Sequence, residues 1–447
     1  MRFPRPFRAA VPAFLAGLSA GLSMLSLHAA PKNQLHVFSR QELTDQFWSE
    51  GANAGDFNHD GIPDIVAGPF WYEGPDFKVR HAYMAADKTS TSTKDGKPVT
   101  FPGFKGRLGN ENEYSANFLA FSQDFNGDGW ADILILGFPG ENSWWFENPG
   151  KAGAPGAMWK RHVALDVTDN ESPTFVDITG DGRPEIVCSS KGHYGYASPD
   201  PKDPTKPFVW HSISPDNKYH KFTHGMGVGD VNGDGRQDLI EKDGWWEQPA
   251  SLAGDPIWKF HKWAFGVGGS QMYAYDVNGD GLPDVISSLS AHGYGLAWYE
   301  QYREGGEIKF HEHVFMNKEA RENRYGVHFS QLHAVDLVDI DGDGVKDLVT
   351  GKRFWAHGPS GDPEPNAAPV LYWFQLKRNA DKTVDWIPHL IDDNSGTGTQ
   401  VVARDINGDG RPDIIVGNKH GVYVFTHRVK TVSAAEFEAA QPKLARP

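Results

Sequence analysis

The chain has 447 residues, of which 39% are hydrophobic and 23% are charged, a composition typical of a globular protein. Its formal net charge of -15 argues against a nucleic acid as partner, because an acidic surface repels the phosphate backbone. The 50 glycines and 15 tryptophans suit many short strands joined by tight turns rather than long helices.

The first 30 residues predict an export signal. Three arginines among the first eight residues form a basic segment, and an apolar stretch then ends at about Leu27, before the small residues Ala29 and Ala30. A membrane anchor is the alternative, but a proline and several Gly and Ser residues dilute the apolar stretch. We therefore expect cleavage and export to the periplasm or the extracellular space, with no membrane span in the mature chain.

One pattern, D-x-N-x-D-G-x-x-D followed by an apolar run, recurs along the chain. Its seven copies start at Asp56, Asp124, Asp177, Asp230, Asp276, Asp339 and Asp405. A short strand precedes each loop, and a β-branched run, an aromatic strand and an alternating strand follow it. Four short strands per repeat predict a propeller blade. A β-solenoid is the alternative, although its repeats are shorter and more uniform.

The sequence thus predicts an all-β fold, a seven-bladed β-propeller with four-stranded blades. The predicted organisation is a signal peptide (1–30), the propeller (31–430) and a C-terminal tail (431–447). An aromatic strand at 422–425 follows the seventh loop without a fourth strand, so we expect the strand at 35–39 to complete the last blade and close the ring. Insertions at about 86–117 and about 316–330 interrupt the repeats, and such loops often carry function.

The acidic loops predict several structural calcium ions. Oxygen ligands at positions 1, 3, 5 and 9, with Gly at position 6 for the turn, form the kind of cage that a hard cation prefers. Bound ions would stabilise an exported chain whose single cysteine, Cys188, forms no disulfide. Acidic turns without metal are the alternative. The predicted ligands are Asp56, Asn58, Asp60, Asp64, Asp124, Asn126, Asp128, Asp132, Asp177, Thr179, Asp181, Glu185, Asp230, Asn232, Asp234, Asp238, Asp276, Asn278, Asp280, Asp284, Asp339, Asp341, Asp343, Asp347, Asp405, Asn407, Asp409 and Asp413. We expect the third loop, with Thr179 and Glu185, to be the weakest site.

These loops resemble the FG-GAP or VCBS repeats of integrin-α-type propellers and of many bacterial exported proteins. The resemblance covers nearly all of the mature chain, and it implies the propeller fold and calcium at the loop positions named above. More loosely, the chain is similar to the propeller part of fungal aldos-2-ulose dehydratases, which are lyases acting on keto-sugars. Those enzymes carry additional cupin-like domains that this sequence does not show.

Fourteen of the 19 histidines fall into two sets. Those on the predicted fourth strands, in register with one another, are interpreted as outer-strand structure: His36, His81, His162, His211, His261, His311, His313 and His389. Others lie at the start of first strands or between second and third strands, and both places belong to one mouth of the central channel. His224 and His333, each six residues before a loop, represent the first place, and His193, His292, His357 and His420 the second.

We therefore predict a working site at this channel mouth. The candidate catalytic residues are His224, His292, Tyr294, His333 and His357, and the candidate substrate-binding residues are His193, Tyr194, Trp245, Gln271, Lys352, Arg353 and Gln400. Converging imidazoles would hold a Zn²⁺, Mn²⁺ or Mg²⁺ ion, with zinc favoured by nitrogen ligands. The alternative interpretation is a channel filled with polar side chains and water.

The leading functional hypothesis is an exported lyase or dehydratase that acts on an oxidised (keto) sugar by metal-assisted β-elimination. A non-catalytic module that binds a glycan or a protein is the second hypothesis, and a purely structural surface protein is the third. A carbohydrate or other small-molecule ligand is expected in the first case. Catalysis by the calcium loops is not expected, because the protein ligands leave little room for a substrate.

Overall fold

The computed structural model describes residues 33–86, 89–94, 97–102, 114–153 and 156–445, so the predicted signal lies outside the described residues. In chain order the strands are β1 (Gln34–Thr44), β2 (Asn53–Gly55), β3 (Asp64–Ala67), β4 (Phe70–Tyr72), β5 (Arg80–Ala82), β6 (Thr89–Lys94), β7 (Lys97–Pro102), β8 (Leu119–Gln123), β9 (Asp132–Leu136), β10 (Glu141–Glu147), β11 (Lys160–Val176), β12 (Glu185–Ser190), β13 (His193–Ser198), β14 (Val209–Ser212), β15 (Met226–Gly229), β16 (Asp238–Glu241), β17 (Gly244–Glu247), β18 (Lys259–Lys262), β19 (Gln271–Tyr275), β20 (Asp284–Ser288), β21 (Leu296–Glu304), β22 (Glu307–Met316), β23 (Val335–Val338), β24 (Asp347–Gly351), β25 (Leu371–Arg378), β26 (Val384–Asp392), β27 (Val401–Arg404), β28 (Asp413–Asn418) and β29 (Gly421–Thr431). The helices are two short 3-10 helices, Gly150–Ala152 and Ala320–Glu322, and α1 (Ala434–Ala440). No helix in the described part of the chain is long and apolar enough to cross a membrane.

Consecutive strands form antiparallel meanders. The sheet orders are β2-β3-β4-β5, β14-β13-β12-β11-β10-β9-β8, β18-β17-β16-β15-β19-β20-β21-β22, β23-β24-β25-β26 and β1-β29-β28-β27, with β6 and β7 as a separate pair. The long β11 joins two meanders because its first part pairs with β10 and its last part with β12. A parallel contact between β15 and β19 joins two others. The fold is therefore all-β with several sheets, as predicted, and its antiparallel meanders exclude the solenoid alternative.

The apolar run after each acidic loop becomes the second strand of a meander. Every residue of β9, with the sequence DILIL, is buried, and the same holds for β3, β16, β20, β24 and β28. A strand that is apolar on both faces is expected where neighbouring sheets cover both sides. The second strands therefore form the core of each meander.

The N-terminal strand pairs with the last strand of the chain. β1 runs antiparallel to β29, with Gln34 opposite Thr431 and Phe38 opposite His427. The expected pairing of the strand at 35–39 with the aromatic strand near the C-terminus is therefore confirmed. Beyond β29, Ser433 and Glu436 form a capping box that begins α1, a helix within the predicted tail that the sequence analysis did not anticipate.

The fourth-strand histidines pack on aromatic side chains of the third strands. His81, His162, His261, His313 and His389 stack on Trp71, Trp145, Trp245, Trp298 and Trp373, respectively, with ring centroids 4.0 to 4.4 Å apart. The first four of these histidines also contact a glutamate, which lies on the same third strand for three of them and directly after that strand for His81. This repeated arrangement confirms their structural interpretation.

Because His389 is shielded from water, we expect the protein to lose stability in acid. Burial, together with the nearby His36, lowers the pKa of His389 to about 4, so the unfolded chain binds the extra proton first as the pH falls. Neutral His389 therefore contributes up to about 3 kcal/mol to the free energy of unfolding above about pH 6.5, and this contribution is lost as the pH falls from there to 4. We expect His389→Phe, which keeps the stacking on Trp373, to show a shallower acid slope in urea unfolding from pH 7.5 to 4.5. Identical slopes would contradict the expectation.

Candidate functional site

Each acidic loop is a tight turn built on its first aspartate. In the second loop, Asp124 accepts hydrogen bonds from the backbone N–H groups of Gly127, Asp128 and Gly129. Gly129, at position 6, has a φ of +90°, which is the left-handed conformation that favours glycine. Asp128 accepts a hydrogen bond from the N–H of position 7, Trp130. The turn thereby gathers its carboxylates on one side of the backbone.

The acid at position 9 ties the loop to the meander. In six loops its two oxygens accept backbone N–H groups from position 2 and from the third strand or the turn that follows it. The acceptor and donor sets are Asp64 with Phe57 and Gly74, Asp132 with Phe125 and Asn148, Asp238 with Val231 and Gln248, Asp284 with Val277 and Gln301, Asp347 with Ile340 and Leu376, and Asp413 with Ile406 and His427. Glu185 accepts one such bond, from Ile178. The sequence analysis assigned this acid to metal binding alone and missed this structural role.

The loops carry charge that a cation would neutralise. Burial raises the pKa of Asp132 to about 7 and that of Asp347 to about 8, with neighbouring loop carboxylates adding to each rise. Carboxylate oxygens of Asp339, Asp341 and Asp347 lie within 4.8 Å of one another. In the third loop, carboxylate oxygens of Asp177, Asp181 and Glu185, at positions 1, 5 and 9, also lie within 4.8 Å of one another. These donor sets fit a calcium ion.

The repeat register brings four ionisable residues to one end of the first strands. Glu50, Glu171, His224 and His333 each lie six residues before the first aspartate of their loops. The sequence analysis used this offset for His224 and His333 and overlooked the two glutamates. The same offset was the signal that could have found them.

Three imidazoles meet at this end of the strands. One ring nitrogen each of His224, His292 and His333 lies within 4.8 Å of the others. His333 is 1% exposed, and neither of its ring nitrogens has a hydrogen-bond partner among the described residues. Burial lowers the pKa of His333 well below its usual range, and Arg353 contributes to this shift. Burial also lowers the pKa of His292. The structure therefore joins three predicted site residues in one cluster.

A buried charge network lies beside these imidazoles. Glu171 Oε2 is 3.4 Å from His224 Nε2, 3.9 Å from His333 Nε2 and 3.3 Å from Arg353 Nη1. Burial opposes ionisation of Glu171, but His224 and Arg353 outweigh it and lower its pKa to about 2. Arg353 also donates to Glu50 at 3.0 Å, and both residues are at most 1% exposed. Arg353 is thus bound to two carboxylates, so it is not free for the predicted contact with a substrate.

His357 extends the cluster toward solvent. Its ring stacks on His292 at a centroid distance of 4.4 Å, and its side chain is 48% exposed. Asp362, which is 4% exposed, contacts Nδ1 of both rings. Burial opposes ionisation of Asp362, but His292 and His357 outweigh it and hold the pKa of this carboxyl well below its usual range. Asp362 was not predicted, because it lies in an irregular loop outside the repeat register.

Lys352 and Tyr294 do not have the environments expected of free site groups. Lys352 is buried and donates from Nζ to Ser330 Oγ at 2.7 Å, and burial lowers its pKa to about 8. The Tyr294 ring lies parallel to that of His328 at 6.5 Å. Burial raises the pKa of Tyr294 to about 12, with Glu364 adding to the rise, so this phenol suits proton donation better than proton abstraction.

Three of the predicted substrate-binding residues contact other parts of the protein. Trp245 is 2% exposed and covered by His261, and Tyr194 is fully buried in the core. His193 Nδ1 lies 3.0 Å from the carbonyl oxygen of Ser214. Buried indole and phenol rings have no free face for a sugar, so Trp245 and Tyr194 are not placed for the predicted contact with a substrate.

The two glutamines border a separate polar cavity between the first strands. This cavity has a volume of about 190 Å³ and is lined in part by Asn53, Gln271, Tyr273, Asp336 and Gln400. Gln271 accepts a hydrogen bond from the N–H of Val335 and donates to the carbonyl of Thr399. Gln400 is bonded in the same two ways to the backbone of Ala120. Both amides therefore join neighbouring strands, where we had predicted contact with substrate.

Comparisons with known proteins support the repeat interpretation. A family model described as an FG-GAP-like repeat matches residues 124–188, and an FG-GAP repeat model matches residues 397–425. The matched segments contain the loops that start at Asp124, Asp177 and Asp405. The predicted resemblance is therefore confirmed for the repeats. No curated protein sequence matches the chain.

Several solved structures are distantly similar in architecture. An Agrocybe aegerita lectin that recognises non-reducing terminal N-acetylglucosamine is 15% identical, with 82% of this chain and 96% of the lectin covered and a TM-score of 0.39. An auxiliary nutrient binding protein from Bacteroides ovatus is 8% identical, with coverage of 73% and 71% and a TM-score of 0.41. The rhamnogalacturonan lyase YesW is 12% identical, with coverage of 89% and 73% and a TM-score of 0.38. Values this low carry no information on activity.

Proposed function

Since the chain carries FG-GAP repeats, we propose that it is an exported, calcium-binding, seven-bladed propeller with four-stranded blades and a carbohydrate-active site at one mouth of its channel. The proposed activity is that of a lyase or dehydratase on a keto-sugar. Seven repeats of the acidic loop, the meander order and the pairing of β1 with β29 support the ring architecture. The N-terminal sequence supports export.

One observation carries the proposed site: three imidazoles with converging nitrogens, of which the buried His333 has no hydrogen-bond partner among the described residues. Burying polar nitrogens without partners costs free energy, so a fold that keeps them together needs a compensating ligand. A divalent ion with a preference for nitrogen, zinc above manganese or magnesium, is that ligand. His224, His292 and His333 would hold the ion. The ion pair of Glu171 and Arg353 lies beside these imidazoles.

The chain's own residues suit an elimination. When bound, such an ion supplies Lewis acidity that polarises a carbonyl or enediolate oxygen. His357, half exposed beside the cluster, is placed to accept the proton from the carbon next to the keto group. The electron pair of that C–H bond forms the new C=C bond, and the bond from the β-carbon to its oxygen substituent breaks. The departing oxygen takes up a proton and leaves as water or an alcohol, so the reaction needs no oxidant or reductant.

Metal analysis of the mature protein tests this proposal. We expect mass spectrometry to find several calcium ions and about one transition metal per chain, with the transition metal lost in His224→Ala. His261→Ala, at an outer-strand histidine, is the control and should retain it. The wild type should then convert keto-sugars to unsaturated products that absorb in the ultraviolet. Calcium alone, unchanged in His224→Ala, would refute the metal site and favour a non-catalytic glycan- or protein-binding module.

A further inference from the structure

Asp362 lies between two histidines of the cluster. Its Oδ1 is 3.2 Å from His292 Nδ1 and 3.0 Å from His357 Nδ1. The two rings stack at 4.4 Å with an interplanar angle of 23°, so both nitrogens approach the carboxylate from the same side. Oδ2 of Asp362 accepts the backbone N–H of His357 at 2.8 Å. The carboxylate is thus anchored to the backbone and faces both rings with one oxygen.

This contact decides which ring nitrogen carries the proton. A carboxylate oxygen only accepts hydrogen bonds, so the Nδ1 of His357, which is hydrogen-bonded to Asp362, carries a proton. The Nδ1 of His292 lies 3.2 Å from the same oxygen without hydrogen-bond geometry and is placed to carry a proton as well. In a neutral imidazole, Nε2 then keeps its lone pair. Metal-binding histidines in proteins commonly donate their second N–H to a carboxylate in this way.

We propose that Asp362 is a positioning residue that holds His292 and His357 as Nδ1–H tautomers. Nε2 of His292 is then the ligand nitrogen, and Nε2 of His357 is the proton acceptor. The assignment rests on the proposed function of the same site, but the tautomers themselves are a property of the metal-free chain. One carboxylate thereby sets two different tasks, because His292 belongs to the cluster of three imidazoles and His357 is half exposed beside it.

The first experiment measures the tautomers directly. Two-bond ¹⁵N–¹H spectra of the chelator-treated mature chain, labelled at histidine, should show His292 and His357 as Nδ1–H forms at pH 7.5, with assignments from His292→Gln and His357→Gln. Asp362→Asn should convert both rings toward mixed tautomers. Asp255→Asn is the matched control, because Asp255 Oδ1 lies 2.6 Å from Nδ1 of the outer-strand His211, so only the His211 signals should change. Nε2–H tautomers in the wild type would overturn the proposal.

The second experiment measures zinc affinity by competition with a chromophoric chelator. Asp362→Asn should weaken binding by about 10- to 100-fold, while Asp255→Asn leaves it unchanged. Asp362→Glu should restore part of the affinity, which separates a lost carboxylate from a disturbed fold. Equal affinities of the wild type and Asp362→Asn would overturn the role of Asp362. No zinc binding by the wild type would instead refute the metal part of the proposed function, and the tautomer spectra would still decide the positioning role.

Discussion

Removal of calcium should lower the melting temperature of the mature protein by about 10 °C or somewhat more. A ligand that binds only the folded state adds about 2.7 kcal/mol per site when its concentration is 100 times its dissociation constant. Three occupied loops would therefore contribute about 8 kcal/mol. One kcal/mol corresponds to roughly 2–4 °C in a domain of 150–250 residues and to about half of that in a chain of this length, because the entropy of unfolding grows with length, so the shift is on the order of 10 °C or somewhat more. The loops fit this role because their carboxylates converge and their position-9 acids are bonded to the meander that must fold around them.

Calorimetry in 1 mM calcium and after treatment with a chelator measures this effect. Re-addition of calcium should restore the melting temperature, and magnesium at the same concentration should restore much less, because magnesium gives up its water ligands reluctantly. Asp339→Asn removes a converging carboxylate from one loop and should reduce the calcium response in part. Asp381→Asn, in an exposed turn, is the control. Equal melting temperatures with and without calcium would show that the loops are acidic turns without metal.

Much of the fold could be predicted because the acidic loop occurs seven times and marks the same position in each group of strands. The loop at Asp230 or Asp276 fixes the start of the second strand, and the third and fourth strands follow from aromatic and alternating residues. The pairing of β1 with β29 followed from counting fourth strands. Three features had no such signal: the fusion of two meanders through β11, the hairpin of β6 and β7, and the helix α1. They lie at connections, where local sequence does not specify the pairing.

The candidate site could be predicted only in part. The offset of six residues placed His224 and His333 correctly, because position along a repeat decides the end of the strand at which a residue lies. It does not decide what the side chain meets. The ring of Trp245 is buried in the core, and Arg353 is bound to two glutamates. Asp362 belongs to a loop without a repeat pattern, so only coordinates could bring it to His292.

Replacement of Arg353 by methionine should destabilise the protein by about 3–5 kcal/mol, because it leaves two carboxylates buried without their cation. Glu50 is fully buried and Glu171 is 11% exposed, so solvent screens neither charge well. Urea unfolding measures the effect. Arg411→Met removes an arginine that is 44% exposed from its pair with Asp409 and should cost less than about 1 kcal/mol.

A double-mutant cycle separates the charge effect from lost packing. Glu50→Gln removes one of the two carboxylates that Arg353 compensates, so Arg353→Met should cost less in that background than in the wild type, with a coupling energy of about 1–3 kcal/mol. Arg353→Met also removes a positive charge that contributes to the lowered pKa of His333, and it leaves Glu171 beside that ring, so the protonated form of His333 is favoured. A protonated imidazole cannot bind a metal ion. Arg353→Met should therefore also weaken zinc binding below pH 7. If Arg353→Met were as stable as the wild type, and if the effects of Glu50→Gln and Arg353→Met were additive, this buried pair would not support the site.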